Sequence, residues 1–404
     1  MKVLQVNCVY NNGSTGKITA DLHKALMDRG IESIVCYGRG AKVKEPFVYK
    51  TCGELYSKLN NLFSRFTGVM YGGCFFSTNK LISIIKKEKP DIVHLQCING
   101  YFVNIYRLIS WLKKNKIKTV LTLHAEFMYT ANCGHAFECE KYKAGCVKCE
   151  HFKKETKSLF FNNTAVSFKK MKKAFDGFDE NLIITSVSPW LQKRGEGSLI
   201  LRNKQHITVM NGLETSMFYP HGGDEIREKL GICDKKFVLF VTPSFTLEKS
   251  HIKGGYYLVE LAKLMPDVIF GVIGAKELPE GLGKNIINIG RVENQDELSK
   301  YYSAADATVI LSKKETFSMI LAESLCSGTP VVSFKAGGPE SIAIEKYCDF
   351  AEYGDLKGIE EKLRARLLLK KEDEISVLAQ EKYNKKIMAN NTIKVYSKLI
   401  GEES

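Results

Sequence analysis

The sequence predicts an α/β chain of two doubly wound domains facing a cleft. Three observations carry that expectation. Short apolar runs alternate with helical stretches through the first half, and the same alternation restarts after residue 223. A turn-rich stretch with few apolar residues, 211–223, separates the halves. The length, 404 residues, suits two domains better than one. Apolar runs enclosed by helices imply parallel sheets covered on both faces, the Rossmann-like arrangement that binds ligands at the carboxyl ends of its strands.

Taken in order, residues 3–9 read as a strand, 11–16 as a turn and 17–28 as a helix. Residues 32–37 form the next strand. A helix at 80–88 ends before Pro90 and leads into a strand at 91–95; a helix at 104–114 leads into a strand at 119–123. A strand at 182–187 is followed by Ser188-Pro189-Trp190, a helix opening, and 206–210 closes this half. In the second half, strands are expected at 237–241, 268–273, 286–289 and 307–311, with helices at 255–265 and 295–305. The tail, 385–400, reads as one long helix. The expected organisation is an N-terminal domain over 1–212 with a cysteine-rich loop at 125–152, a linker at 213–223, a second domain over 224–384, and a C-terminal helical segment, 385–404, returning to the first domain.

Composition is that of an ordinary globular protein, 44% hydrophobic and 26% charged. No run of 18 or more apolar residues exists, and the N-terminus reads as a strand instead of a signal peptide. A cytoplasmic location follows as the expectation. The net charge of +14 favours anionic partners such as phosphates, nucleic acid or an acidic membrane surface, with a solvated lysine-rich surface as the plain alternative.

The strongest chemical signal is Glu315 and Glu323, eight positions apart, followed by Gly328-Thr329-Pro330-Val331-Val332. Glu315 falls in a loop after a strand and Glu323 inside a short helix. Eight helical residues rise roughly 12 Å, about the reach of a nucleotide-sugar from sugar ring to ribose. Between the acids lies a helix N-terminus, whose free N–H groups suit a diphosphate. Around the pair stand Lys253-Gly254, Gly290-Arg291-Val292, Ala305-Asp306-Ala307 and Gly337-Gly338-Pro339-Glu340.

In that order these motifs resemble the donor domain of retaining GT-B glycosyltransferases of family 4, over residues 237–334. The resemblance implies two facing domains that close on a nucleotide-sugar. Glu315 would accept hydrogen bonds from donor-sugar hydroxyls, Phe317, Ser318 and Met319 would offer backbone amides near the diphosphate, and Glu323 would hold the ribose. Lys253 would neutralise the diphosphate, with Arg291 in the same donor group. The family carries an Arg a few residues before that Lys; residues 242–249 contain none, and Lys249 is the cation available there. Asn12-Gly13-Ser14-Thr15-Gly16 resembles the family's glycine loop, so Gly13, Thr15 and Gly16 join the donor-binding set; the alternative is a strand–helix turn that needs glycine. His124, at the end of a strand, occupies the place of a family His beside the reacting sugar. Ala125 follows it where the family has Asp, which favours positioning over proton transfer.

The implied activity is retaining transfer of a hexosyl group from a UDP- or GDP-sugar to a glycan or lipid-linked glycan in cell-surface polysaccharide synthesis, with no metal needed for catalysis. Rivals are a sugar-nucleotide epimerase or phosphorylase of the same architecture, or a zinc-containing nucleic-acid- or partner-binding protein. Cys133, Cys139, Cys146 and Cys149 fall in one loop. Structural zinc, disulfides and free thiols are the three readings, zinc being favoured by the Cys-x2-Cys hook. A nucleic-acid partner is not expected, because the loop interrupts a sheet domain. The aromatic, amphipathic stretch 59–76, Phe160-Phe161 and basic helices around 112–116 and 168–175 suggest peripheral docking on an anionic bilayer at the inner face of the plasma membrane, against the plain reading of core faces opposite solvated ones.

Overall fold

The computed structural model describes residues 1–130 and 133–402. Ala131 and Asn132 of the cysteine-rich loop, and Glu403 and Ser404 of the C-terminal segment, lie outside the described residues. The chain divides into unit 1, Met1–Met210 with Met388–Ser404, and unit 2, Asn211–Ile387.

Unit 1 is built on seven parallel strands, β1 (Lys2–Asn7), β2 (Glu32–Tyr37), β3 (Val48–Lys50), β4 (Ile92–Leu95), β5 (Thr119–Leu123), β6 (Leu182–Ser186) and β7 (Gln205–Thr208). Their order is β3-β2-β1-β4-β5-β6-β7. Leu4 of β1 stands between Ile34 and Val93 of its two neighbours. Both faces are covered, so the inner strands carry buried residues at nearly every position and do not alternate. The first helix spans Gly13–Met27 instead of the expected 17–28, because Asn12 is already the extended N-cap and the glycine turn is absorbed into the first helical turn. The helix Lys385–Ile400 starts in unit 2, and from Met388 onward it belongs to unit 1. There Met388, Val395 and Tyr396 pack with Val3, Leu22, Ile92 and Val120.

Unit 2 holds six parallel strands, β8 (Lys236–Val241), β9 (Val268–Ile273), β10 (Ile286–Gly290), β11 (Ala307–Ile310), β12 (Val331–Phe334) and β13 (Cys348–Ala351), in the order β10-β9-β8-β11-β12-β13. Phe240, Phe270, Val309 and Phe334 pack there against Leu258 and Leu261 of the helix Gly255–Leu264 and against Ile359 and Leu363 of the helix Leu356–Leu368. The short edge strands β3 and β13 were not anticipated; three or four residues leave too little pattern to read.

The stretch expected as a linker is instead part of unit 2. Leu213 forms a parallel bridge with Asn384, its N–H donating to the Tyr383 carbonyl at 2.8 Å. Leu213 and Phe218 are buried, and the Tyr219 N–H donates to Ser299 Oγ. Two well-placed apolar side chains are enough to fold a polar stretch onto the body. Among the described residues no helix is long and apolar enough to cross a membrane.

Candidate functional site

In unit 2 the winding reverses between β8 and β11, so the loops leaving these strands part to opposite faces and open a crevice at their carboxyl ends. The two loops are pinned together. The Lys313 N–H donates to the Ile252 carbonyl at 2.8 Å. Gly254 has φ +76° and backs onto β11's exit, where a Cβ would stand 2.1 Å from the Leu311 carbonyl oxygen. Only glycine meets both demands. The result is that Lys253 and Glu315, far apart in sequence, meet with Nζ 2.7 Å from Oε1, both largely but not wholly shielded, at 25% and 18% exposure.

A second clamp fixes the Glu315 backbone. Its N–H donates to the Ala336 carbonyl at 3.0 Å and its carbonyl accepts the Gly338 N–H at 2.8 Å. At Gly338 a Cβ would lie 2.4 Å from the Thr316 carbonyl carbon, so the approach requires glycine. The Glu340 carboxylate accepts the Ala336 and Gly337 N–H groups at 3.0 and 2.8 Å, which holds the turn that holds Glu315. The Gly-Gly-Pro-Glu motif is therefore a support for the acid.

The helix Met319–Cys326 follows at once. Ser318, its N-cap, has φ 86°, an unusual conformation for a residue with a Cβ, and its Oγ accepts the Leu321 N–H at 3.4 Å. The amides of the helix's first turn, Met319 and Ile320 among them, have no helical acceptor. Phe317 buries its ring edge-on to Tyr383, with centroids 6.4 Å apart, so its side chain anchors the turn. Further along the helix, Glu323 Oε2 accepts the Tyr302 hydroxyl at 3.0 Å. Burial first, and then the Glu323 charge, push the Tyr302 pKa well up, so the hydroxyl remains a donor and keeps the carboxylate oriented. Tyr302 was not anticipated. Its signal in the sequence, a Tyr on the buried side of an amphipathic helix, is that of any core residue.

Two expected members of the group lie elsewhere. Arg291 leaves the end of the edge strand β10, is 77% exposed, and pairs with Glu293 at 3.3 Å. Lys249 sits on an exposed loop with its Nζ over the Tyr256 ring, 5.6 Å from the centroid. The structure brings neither to the Lys253–Glu315 pair.

In unit 1 the winding reverses between β1 and β4. Gly13 and Thr15 lie in the first turn of the helix after β1, and Gly16 packs on Val9. His124 follows β5, its Nε2 2.9 Å from Gln96 Oε1. Burial lowers its pKa to about 4, so it is a neutral imidazole at pH 7. His94 is deeper, between the Tyr396 hydroxyl at 2.6 Å and Thr122 Oγ1 at 2.7 Å, with its pKa near 3 from burial and then from His124. It is a structural residue tying the C-terminal helix to the sheet.

Burial also lowers His23 and His206, and all four histidines belong to unit 1. Their neutral forms favour the folded state in full above the unfolded value near 6.5. That contribution is lost as pH falls from about 6.5 toward 4, where the unfolded chain takes up protons and the native one does not. Calorimetric scans should therefore show the unit 1 transition falling between pH 6.5 and 5 while that of unit 2 stays nearly level. Equal falls in both would contradict this.

Cys133, Cys139, Cys146 and Cys149 are half-buried and free. Burial raises the Cys133 thiol, with Glu155 and the other three thiols adding. Yet among the described residues no three His, Cys, Asp or Glu side chains are arranged to hold a metal ion. A carboxylate holds the loop. Glu126, with its side chain fully buried, accepts Arg194 Nε at 2.5 Å, the Tyr129 hydroxyl at 2.7 Å and the Ala136 N–H at 2.6 Å. The Arg194 guanidinium lies over the Tyr142 and Trp190 rings, 4.9 and 5.0 Å from their centroids.

Comparison with known proteins bears on unit 2 most directly. Residues 223–384 match the model of the family described as glycosyl transferases group 1. The match covers two fifths of the chain and lies within unit 2. The Escherichia coli (strain K12) protein WcaC, named for colanic acid biosynthesis, is 28% identical over 163 residues, 37% of this chain and 39% of that protein. The N-acetyl-alpha-D-glucosaminyl L-malate synthase of Bacillus anthracis is 22% identical over 91% of this chain and 87% of its own. The solved structure of Anabaena Alr3699/HepE in complex with UDP-glucose superposes with a TM-score of 0.63 at 13% identity, covering 98% of this chain and 100% of that one. Two Rossmann-like units with parallel sheets are the GT-B fold. The matched stretch contains both the Lys253–Glu315 pair and the Tyr302–Glu323 pair.

Proposed function

We propose that this chain is a retaining glycosyltransferase that moves a hexosyl group from a UDP- or GDP-sugar to a glycan or lipid-linked glycan acceptor in cell-surface polysaccharide synthesis. The observation that carries the proposal is the 2.7 Å Lys253–Glu315 contact at the strand-order reversal of a group 1 domain, one helix N-terminus away from Glu323. The Alr3699/HepE complex with UDP-glucose supports the donor class, and the name of WcaC supports the polysaccharide setting.

In this reading the acceptor hydroxyl attacks the anomeric carbon from the face on which the diphosphate departs. The bond from that carbon to the phosphate oxygen breaks, the bond to the acceptor oxygen forms, and the acceptor's proton passes to the departing phosphate oxygen. Charge growing on the diphosphate is met by the Lys253 ammonium and the amides of Phe317, Ser318 and Met319, so the proposal assigns no catalytic step to a metal ion. Glu315 fixes the sugar hydroxyls, and Glu323, steadied by Tyr302, fixes the ribose. His124, neutral, positions and does not transfer a proton.

A panel of nucleotide-sugars tested for thermal stabilisation checks the donor claim. The cognate donor at 100 times its Kd adds about 2.7 kcal/mol to the stability of the state that binds it. A clear rise in the melting temperature is expected for one base and one sugar. No rise with any UDP- or GDP-sugar would refute donor binding.

A further inference from the structure

The helix Glu54–Thr67 of unit 1 is turned the wrong way round for a core helix. Its buried residues are Ser57 and Ser64, and Ser57 Oγ donates to the Gly100 carbonyl at 2.9 Å. Leu59, Leu62, Phe63 and Phe66, spaced to lie on one face, are exposed. A second segment is tied alongside it. The Leu159 N–H donates to the Arg65 carbonyl at 2.8 Å, and Asn163 Nδ2 to the Thr67 carbonyl at 2.7 Å. These bonds set the Phe160 ring 5.8 Å from Phe66, with Phe160 and Phe161 64% and 58% exposed. A continuous apolar, aromatic patch on the surface marks an interaction site.

The charges around it favour one kind of partner. Residues 55–87 contain no Asp or Glu and five Lys or Arg; residues 156–175 contain no Asp or Glu and five Lys. Glu54, which opens the helix, is paired with Arg39. Leucine and phenylalanine on segments this rich in cations suit the headgroup region of an anionic bilayer, where rings enter the acyl boundary and ammonium groups meet lipid phosphates. Among the described residues no helix can cross a membrane, so the contact is one of lying on the surface.

The geometry points to the exposed face of helix Glu54–Thr67, together with Phe160 and Phe161, as a docking surface for an anionic lipid bilayer. This does not rest on the donor reading, and the two fail separately.

Co-sedimentation of the full chain with sucrose-loaded vesicles tests it. Vesicles of phosphatidylglycerol and phosphatidylcholine should retain the protein, and phosphatidylcholine alone should retain it roughly tenfold less. The double substitution Phe63→Asp with Phe160→Asp should lower partitioning to the anionic vesicles roughly tenfold or more. Lys58→Gln with Arg65→Gln should weaken it and flatten its salt dependence. Lys58, Phe63 and Phe160 are exposed, while Arg65 is half-buried with its Nε donating to the Lys157 carbonyl at 3.2 Å, and an unchanged melting temperature confirms that the variants fold. Absence of binding to anionic vesicles would overturn the proposal, as would binding that the Phe63→Asp and Phe160→Asp pair leaves intact. A concentration-dependent dimer abolished by that pair would also overturn it, assigning the face to a second copy of the chain.

Discussion

Glu315→Gln is expected to lower kcat/KM for the cognate donor by about two orders of magnitude. The substitution keeps the length of the side chain and its ability to accept a hydrogen bond. It removes the charge that faces Lys253 at 2.7 Å. Two effects add. In the proposed mechanism, hydrogen bonds from sugar hydroxyls to a carboxylate become bonds to a neutral amide, a change worth about 1 to 2 kcal/mol. Lys253 also loses the partner that holds its Nζ at the crevice, so the cation is less well placed when the diphosphate leaves. Lys253→Gln should fall at least as far, and the double variant should lose much less than the sum, because the two groups act as one unit. Glu323→Gln should act mainly through KM, since the ribose contact proposed for it would be the same in ground and transition states. Initial rates with labelled donor over a range of concentrations separate these cases. An unchanged kcat/KM for Glu315→Gln would remove the acid from the mechanism.

How much of this was legible in the sequence depends on the range of the interaction. The inner strands were legible because burial on both faces writes an unbroken apolar run into four or five consecutive residues, as in residues 237–240 of β8. The acids at 315 and 323 were legible because strand, loop and helix lie within one short stretch of chain. Their supports were less so. Gly254 and Gly338 are glycines for a steric reason that appears only when Leu311 and Thr316 come against them. Tyr302 reaches Glu323 from a different helix, and nothing local distinguishes it from a core tyrosine. The stretch 211–223 looked like a spacer because its composition is polar, yet Leu213 and Phe218 suffice to bury it. Arg291 had the right order in the sequence, but its position beyond an edge strand leaves it paired with Glu293. In the cysteine loop the four thiols are plain in the sequence, while Glu126 and Arg194, which also hold the loop, are 68 positions apart and carry no motif.

Glu126→Ala should therefore be the most damaging single change to the stability of unit 1. The carboxylate is fully buried and satisfies three donors at once, while the Arg194 side chain is 14% exposed. Truncating one member of a buried ion pair leaves the other charged and unsolvated, which costs about 3 to 5 kcal/mol. For a unit of this size each kcal/mol moves the midpoint by about 2 to 4 °C, so a fall on the order of 10 °C is expected in the unit 1 transition. Differential scanning calorimetry with and without donor distinguishes the units, since donor should raise the unit 2 transition and leave the unit 1 loss in place. The double change Glu126→Leu with Arg194→Leu should recover part of the loss, because no charge is then left buried. Complete recovery is not expected: the Ala136 N–H and the Tyr129 hydroxyl lose their acceptor whichever residue replaces the acid. If instead Glu126→Ala melts like the parent while a Cys146→Ser with Cys149→Ser variant collapses, the loop is held by its thiols and the carboxylate is incidental.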